Sequence, residues 1–217
     1  MDENQAWGVI AAQRLRVADL LDSLTAEQWS APSLCAGWAV TDVAAHVASV
    51  PRPMPAGAMV SAAFRARGRL HGMIDLLTRE AGRRYGTESA AMLRSDAAST
   101  ALPKLTNWRN ILFDTQIHAL DIARPLGLEM EVDRAAAAVG ADRIWNVGFL
   151  FGARKRYDGL SFRATDVDWS AGRGDEIAGP VADLLLVLSG RPAGLDRMTG
   201  DGVEQARDRL GASAVGA

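Results

Sequence analysis

Trp108–Gly127 reads WRNILFDTQIHALDIARPLG. Within it Trp108, Ile111, Thr115, His118 and Ile122 recur at helical spacing, the signature of one helix with a single face turned inward. Arg124-Pro125-Leu126-Gly127 ends the helix. Asp114 and His118 stand four residues apart, one above the other on the same face. A carboxylate and an imidazole so placed can hold one divalent cation between them. Because His118 lies on the largely apolar face, that pair points into the fold. A third ligand has to come from elsewhere, and His46, far upstream, is the candidate.

Working outward, the rest of the first two thirds is also helical. Residues 3 to 24 form an amphipathic helix through Trp7, Ile10, Val17, Leu21 and Leu24. Thr25-Ala-Glu-Gln28 fits a capping box that starts a short helix, with Trp29 packing back on the first one. Thr41 is the expected N-cap of a helix from Asp42 to about Val50, whose inner face carries Val43, His46, Val47 and Val50. Pro51, Pro53 and Pro55 stop it. Ala56 to Arg84 reads as one longer helix, interrupted in composition by Gly68 and Gly72, with arginines 65, 67, 69, 79, 83 and 84 on its outer side. Thr87 is the expected cap of a short helix to Ala98, and Asp133 of a helix to about Phe151. This pattern predicts a helical bundle with any site built in its core from facing helices.

The pattern changes after Gly152. Leu160–Trp169, LSFRATDVDW, alternates as a strand does. Gly172 and Gly174 make a turn, and Glu176–Ala178 a short return strand. Pro180 opens a helix from Val181 to Leu188, a turn covers Met198–Asp201, and a last helix covers Gly202–Leu210, leaving GASAVGA as a disordered tail. The expected organisation is a helical metal-binding domain over 1–153 and a small α/β subdomain over 158–212.

Composition narrows the function classes. The chain has 217 residues, 48% hydrophobic and 23% charged, enough for a full core. A net charge of −2 gives no electrostatic reason to expect nucleic acid or an anionic membrane. The longest apolar run, Leu184–Leu188, is far short of a bilayer span, and MDENQAWG lacks the features of a signal peptide, so a cytoplasmic protein is expected. The one cysteine, Cys35, forms no intrachain disulfide.

His46, Asp114 and His118 make a two-histidine, one-carboxylate set that leaves coordination positions open. It suits Zn²⁺, Ni²⁺, Fe²⁺ or Mn²⁺. The same residues also fit two satisfied core histidines with Asp114 bonded to one of them, and spacing leaves both readings open. Asp121 shares that side of the helix, either as the acceptor behind a ligating histidine or as a capping or arginine-pairing acid. His71 reads as a surface residue. Trp38 is a candidate wall of the site, Cys35 a small buried filler or a catalytic thiol, and Arg79, Arg83 and Arg84 are candidate cations for a substrate carboxylate. No residue is assigned to catalysis or substrate binding beyond these.

Four segments carry a resemblance. GWAVTDVAAHVA, Gly37–Ala48, resembles the G-W-[ST]-V-x-D-[VL]-x-x-H-[LV] motif of the mycothiol-dependent maleylpyruvate isomerase family, within the DinB-like superfamily. FDTQIHALDIARPLG, Phe113–Gly127, resembles its second motif, E-x-x-x-H-x-x-D with a Leu-Gly ending. TDVDWSAG, Thr165–Gly172, with IAGPVADLLLVLSGR, Ile177–Arg191, resembles its C-terminal part, and Met198-Thr-Gly-Asp-Gly202 its closing turn. The resemblance implies a mainly α fold, a DinB-like four-helix bundle with a small α/β C-terminal subdomain. It implies metal ligation by His46, Asp114 and His118, with Asp114 standing where the family usually has the longer Glu, so that the backbone comes closer or a water intervenes. It implies a divalent metal, Zn²⁺ first and Ni²⁺ next, and mycothiol or a similar thiol as cosubstrate. In the family's isomerase the thiol adds to a conjugated cis double bond, the resulting single bond rotates, and elimination gives the trans isomer. A thiol transferase or isomerase acting on a small electrophile, as monomer or homodimer, is therefore expected. A non-catalytic metal-binding regulator and a small metal-dependent hydrolase are the alternatives.

Overall fold

The computed structural model describes residues 1–52, 56–103, 106–147 and 152–214. It divides into two compact units, Trp7–Glu131 and Met1–Ala6 together with Val132–Ala217. The first carries α1 (Glu3–Asp22) from Trp7 onward, α2 (Ala26–Ser30), α3 (Val40–Ser49), α4 (Ala56–Arg65), α5 (Leu70–Tyr85), α6 (Ser89–Ser95) and α7 (Trp108–Ala123). The second carries α8 (Arg134–Asn146), α9 (Ala153–Arg156), β1 (Leu160–Ala164), β2 (Ser170–Gly172), β3 (Asp175–Gly179), α10 (Val181–Leu188) and α11 (Val203–Ala214). The fold class is the expected one, a mainly helical chain with a small sheet near its end. The change of unit falls at Val132, upstream of the change of pattern at Gly152, because α8 packs along α10.

In the helical unit α3 is the hub, lying against α5, α6 and α7. Its Val40, Val43 and Val47 join Val17 and Leu21 of α1, Trp29 of α2, Leu93 of α6 and Ile122 of α7 in one buried cluster. Thr25 closes the expected capping box on α2, its Oγ accepting from the Gln28 N–H while Gln28 accepts from the Thr25 N–H. The start of α3 differs from expectation. Asp42 Oδ2 accepts from the Ala39 N–H at 3.0 Å, and Thr41 instead donates its hydroxyl to the Trp29 carbonyl at 2.6 Å. The single helix expected over Ala56–Arg84 is two, broken where Arg67 (φ 51°) and Gly68 (φ 72°) take left-handed backbone. The short helix α6 begins at Ser89 with no side-chain cap. α7 is capped by Asn107, which accepts from the N–H groups of Arg109 and Asn110. Pro53 and Pro55, Leu150 and Phe151, the His71 side chain and the last three residues lie outside the described residues.

Asp133 caps α8 as expected, accepting from the Ala136 N–H at 2.8 Å. In β1, Leu160, Phe162 and Ala164 are buried and Arg163 is exposed, the alternation of a half-buried strand. The strand stops at Ala164 rather than Trp169. β2 pairs antiparallel with one edge of β1, and β3 pairs parallel with the other, giving the order β2-β1-β3. The chain therefore wraps round the start of β1 instead of returning as a simple hairpin. Glycine makes that possible: Gly174 has φ 122°, and a Cβ there would collide with the Gly159 carbonyl. α11 continues to Ala214, so Gly211–Ala214, expected to be disordered, are helical.

Tyr157 anchors this unit. Its ring is fully buried and meets Phe162 edge-on at 5.1 Å, and its hydroxyl donates to the Val187 carbonyl at 2.7 Å. Burial pushes the phenol from its ordinary 10.0 up to about 12, with Arg156 and Arg209 opposing the shift. The folded state thus keeps a proton that the unfolded state gives up near pH 10.0. Above that pH the unfolded state binds fewer protons, so stability falls as pH rises through the window up to about 12. Tyr157→Phe should cost about 1 kcal/mol at neutral pH, since the Val187 carbonyl keeps a bond from the Gly190 N–H. It should also flatten the fall in stability across that alkaline window. Urea unfolding of both proteins across the pH range checks this, and an unchanged slope in the variant would refute it.

Candidate metal centre

α7 and α3 bring the three expected residues together. His46, Asp114 and His118 each offer a donor atom, all within 4.8 Å of one another. His118 Nε2 is 3.4 Å from Asp114 Oδ1, and His46 Nε2 is 3.6 Å from Asp114 Oδ2. The two imidazole rings lie edge to face with centroids 5.0 Å apart. The carboxylate–imidazole separations are too long for strong hydrogen bonds. They match the spacing of two ligands on one tetrahedral ion, about 3.4 Å for bonds of about 2.1 Å.

Each histidine is held from behind. His118 Nδ1 lies 2.9 Å from Asp121 Oδ2, and Asp121 is fully buried. Thr78 Oγ1, on α5, is 3.2 Å from His46 Nδ1. With Nδ1–H donated to these acceptors, both Nε2 lone pairs face Asp114. This is the arrangement in which a histidine serves a metal while its other nitrogen fixes ring and tautomer. Asp121 thus stands directly behind the His118 ring, in hydrogen-bond reach of its Nδ1.

The charges point the same way. Burial works against ionisation of Asp114, but His118 and His46 outweigh it and hold the carboxyl far below the ordinary range. Burial likewise lowers the proton affinity of His118, yet Asp114, Cys35 and Asp121 together raise it well above the ordinary imidazole value. Two carboxylates facing two imidazoles leave an excess of negative charge that a proton or a cation must balance. The residues present fit a divalent ion.

Trp38 forms a wall, its ring centroid 5.5 Å from His46 and 6.3 Å from His118. Its indole N–H donates to Asp75 Oδ1 at 2.8 Å. Cys35 is partly buried and packs against the core cluster, its thiol donating to Asp121 Oδ2 at 3.0 Å and lying 3.6 Å from His118 Nδ1. Arg65, Arg67, Arg69, Arg83 and Arg84 are exposed, and only Arg79 is drawn in beside Asp75. Thr78 and Asp75 were not anticipated. The Asp75–Arg79 pair had an i,i+4 signal, whereas nothing local marks Thr78.

Residues 10–123, more than half of the chain, match the family model described as the mycothiol maleylpyruvate isomerase N-terminal domain. Two crystal structures share the fold. One is of the mycothiol-dependent maleylpyruvate isomerase, at 15% identity and a TM-score of 0.56. The other is of a histidine-to-alanine mutant of that enzyme, at 14% and 0.57. Each match covers 93% of this chain and 93% of the other. No curated protein matches the sequence.

The geometry predicts unequal costs for the two histidines in metal-free protein. His118→Ala removes the imidazole that balances the buried Asp121 carboxylate, leaving the weaker Cys35 thiol donor, and breaking such a buried pair costs about 3 kcal/mol. His46 is more exposed, and it leaves behind the Thr78 hydroxyl and an Asp114 carboxylate that keeps His118 beside it, so His46→Ala should cost about 1 kcal/mol. Urea unfolding after dialysis against chelator measures both, and equal losses would refute the asymmetry.

Proposed function

The chain belongs to the mycothiol maleylpyruvate isomerase family through its N-terminal domain, and on that premise we propose a divalent-metal-dependent enzyme that uses mycothiol or a similar low-molecular-weight thiol. It acts as an isomerase or S-transferase on a small electrophile with a double bond conjugated to a carbonyl. Its metal ligands are His46, Asp114 and His118, with Zn²⁺ the expected ion and Ni²⁺ the next. It works as a cytoplasmic monomer or homodimer. The observation that supports the metal reading is the convergence of two Nε2 atoms on Asp114 at 3.4 and 3.6 Å, each ring backed at Nδ1.

The roles of the residues follow. Asp121 retains the proton on His118 Nδ1 and so keeps Nε2 free to ligate. Thr78 does the same for His46 from α5. Asp114 supplies the one negative ligand, so the charge of a divalent ion would be only half neutralised by its direct ligands, with Asp121 balancing the rest from behind His118. A divalent cation held there would favour the thiolate form of a thiol at an open position and polarise a carbonyl. Trp38 limits water on one side. The reaction class is addition of the thiol sulfur to the alkene carbon, rotation about the resulting single bond, and elimination of the same thiol. The thiol is regenerated, so no oxidant or reductant is needed.

Calorimetric titration of metal-free protein with Zn²⁺ tests the base of this reading. The wild type should bind, and thermal stability at a hundredfold excess over Kd should rise by about 2.7 kcal/mol, roughly 5–10 °C for a chain of this size. Asp121→Ala should weaken binding by about 10–100-fold, and His46→Ala or His118→Ala by more. A wild type that takes up neither Zn²⁺ nor Ni²⁺ would overturn the enzyme reading. Metal binding without thiol-dependent turnover of a cis-enone acid would instead favour a metal-binding regulator, and thiol-independent hydrolysis a hydrolase.

A further inference from the structure

Arg79 is the one arginine of the Arg65–Arg84 series that is not fully exposed. Its Nε donates to both oxygens of Asp75, at 3.0 and 3.2 Å. Asp75 is itself fixed by the Trp38 indole N–H. The guanidinium is thus tethered by its inner nitrogen, through Asp75, to the indole that lies beside the two imidazoles. Its neighbour Thr78 touches His46. Neither Nη nitrogen has a hydrogen-bond partner among the described residues.

The backbone beside it is shaped to the same end. Gly37, immediately before Trp38, has φ 79°, and a Cβ there would stand 3.0 Å from Arg79 Nη2. A side chain at 37 would therefore press on the fork as well as strain the turn. Asp75 neutralises part of the charge, so what the fork offers is chiefly geometry: two parallel N–H donors in one plane, the pattern that a carboxylate accepts in bidentate fashion. An arginine meant only as a solvated ion pair would not need a half-buried tryptophan donor to orient its acid.

We propose that Arg79, oriented by Asp75 and Trp38 over Gly37, is a carboxylate-binding subsite beside the candidate metal centre. It deepens the function proposed above and rests on it for the identity of the site, since the carboxylate is carried by the electrophile or by the thiol. The fork fixes one end of that molecule while the reacting atoms lie beside the indole, towards His46 and His118.

The test uses the isotope-labelled full chain, dialysed free of metal, with the Trp38 indole N–H followed by two-dimensional NMR. Maleate should shift that signal saturably, and uncharged dimethyl maleate should not. Arg79→Gln should weaken the maleate response by about tenfold. Arg79→Lys, which keeps the charge but loses the fork, should fall between the two. N-acetylcysteine competing with maleate where N-acetylcysteamine does not would assign the carboxylate to the thiol, and no competition by either would assign it to the electrophile. Equal maleate binding by wild type and Arg79→Gln, or no binding by the wild type, overturns the subsite. Zn²⁺ affinity and thermal midpoint, measured on the same variants, should be unchanged. A protein that binds maleate through Arg79 but never binds Zn²⁺ or Ni²⁺ refutes the proposed function and leaves the subsite standing, and the reverse result refutes the subsite alone.

Discussion

The imidazole of His118 is gripped at both nitrogens, by Asp121 at 2.9 Å behind and by Asp114 at 3.4 Å in front. All three sit on α7, at spacings of four and three residues. A single helix thus assembles a carboxylate–imidazole–carboxylate line in a largely buried setting. Such a line is tolerable only if something balances its negative excess. Burial lowers the proton affinity of His118, but Asp114, Cys35 and Asp121 raise it well above the ordinary value, so that a second proton on the ring can meet this need when no metal is bound. A divalent ion competes with that proton for the same Nε2 and serves the same electrostatic need. The centre is therefore poised rather than relaxed, and the surrounding helices are arranged to hold it.

Those helices contribute in a definite order. α3 delivers His46 to the open side of Asp114. α5 lies against α3 and places Thr78 behind His46. The close approach of α5 to α3 depends on Gly82, where a Cβ would run into the Asp42 carboxylate that also holds the start of α3. One contact thus joins helix initiation, helix packing and the support of a candidate ligand. A larger side chain at 82 would move Thr78 and the His46 ring together, without touching either.

Legibility in the sequence followed range. The spacing of Asp114, His118 and Asp121 lies within two turns of one helix, so their mutual geometry was readable, as were the Thr25 box and the Asp133 cap. His46 is marked by its place on the inner face of its helix, beside Val43 and Val47, and by the resemblance of Gly37–Ala48. Features set by distant partners were not readable. The Ala56–Arg84 stretch keeps a helical apolar pattern through Arg67-Gly68, and only the left-handed backbone there ends α4. β3 has the composition of a return strand, yet it pairs parallel with β1 because glycines at 172 and 174 let the chain round the strand's end. Thr41 has the right chemistry for a cap, but its hydroxyl is taken by the Trp29 carbonyl. Thr78 carries no local mark at all, since its role exists only once α5 meets α3.

The short acid at position 114 suits the same packing. Aspartate reaches one methylene less than glutamate, so the helices that carry the other donors must come closer. On α3, Ala44, Ala45 and Ala48 are fully buried, and α7 answers with Ala119, also fully buried. Ala44, Ala48 and Ala119 belong to one cluster. Small side chains at a helix–helix contact allow the axes to approach, and here they bring α3 near enough for His46 Nε2 to stand 3.6 Å from a carboxylate with a short stem. Aspartate also has fewer side-chain torsions to immobilise than glutamate, so less entropy is lost on fixing it between two imidazoles. Lengthening the acid alone would push its oxygens past the Nε2 atoms unless the alanines grew with it, which makes position 114 and the alanines of α3 and α7 a single, coupled choice.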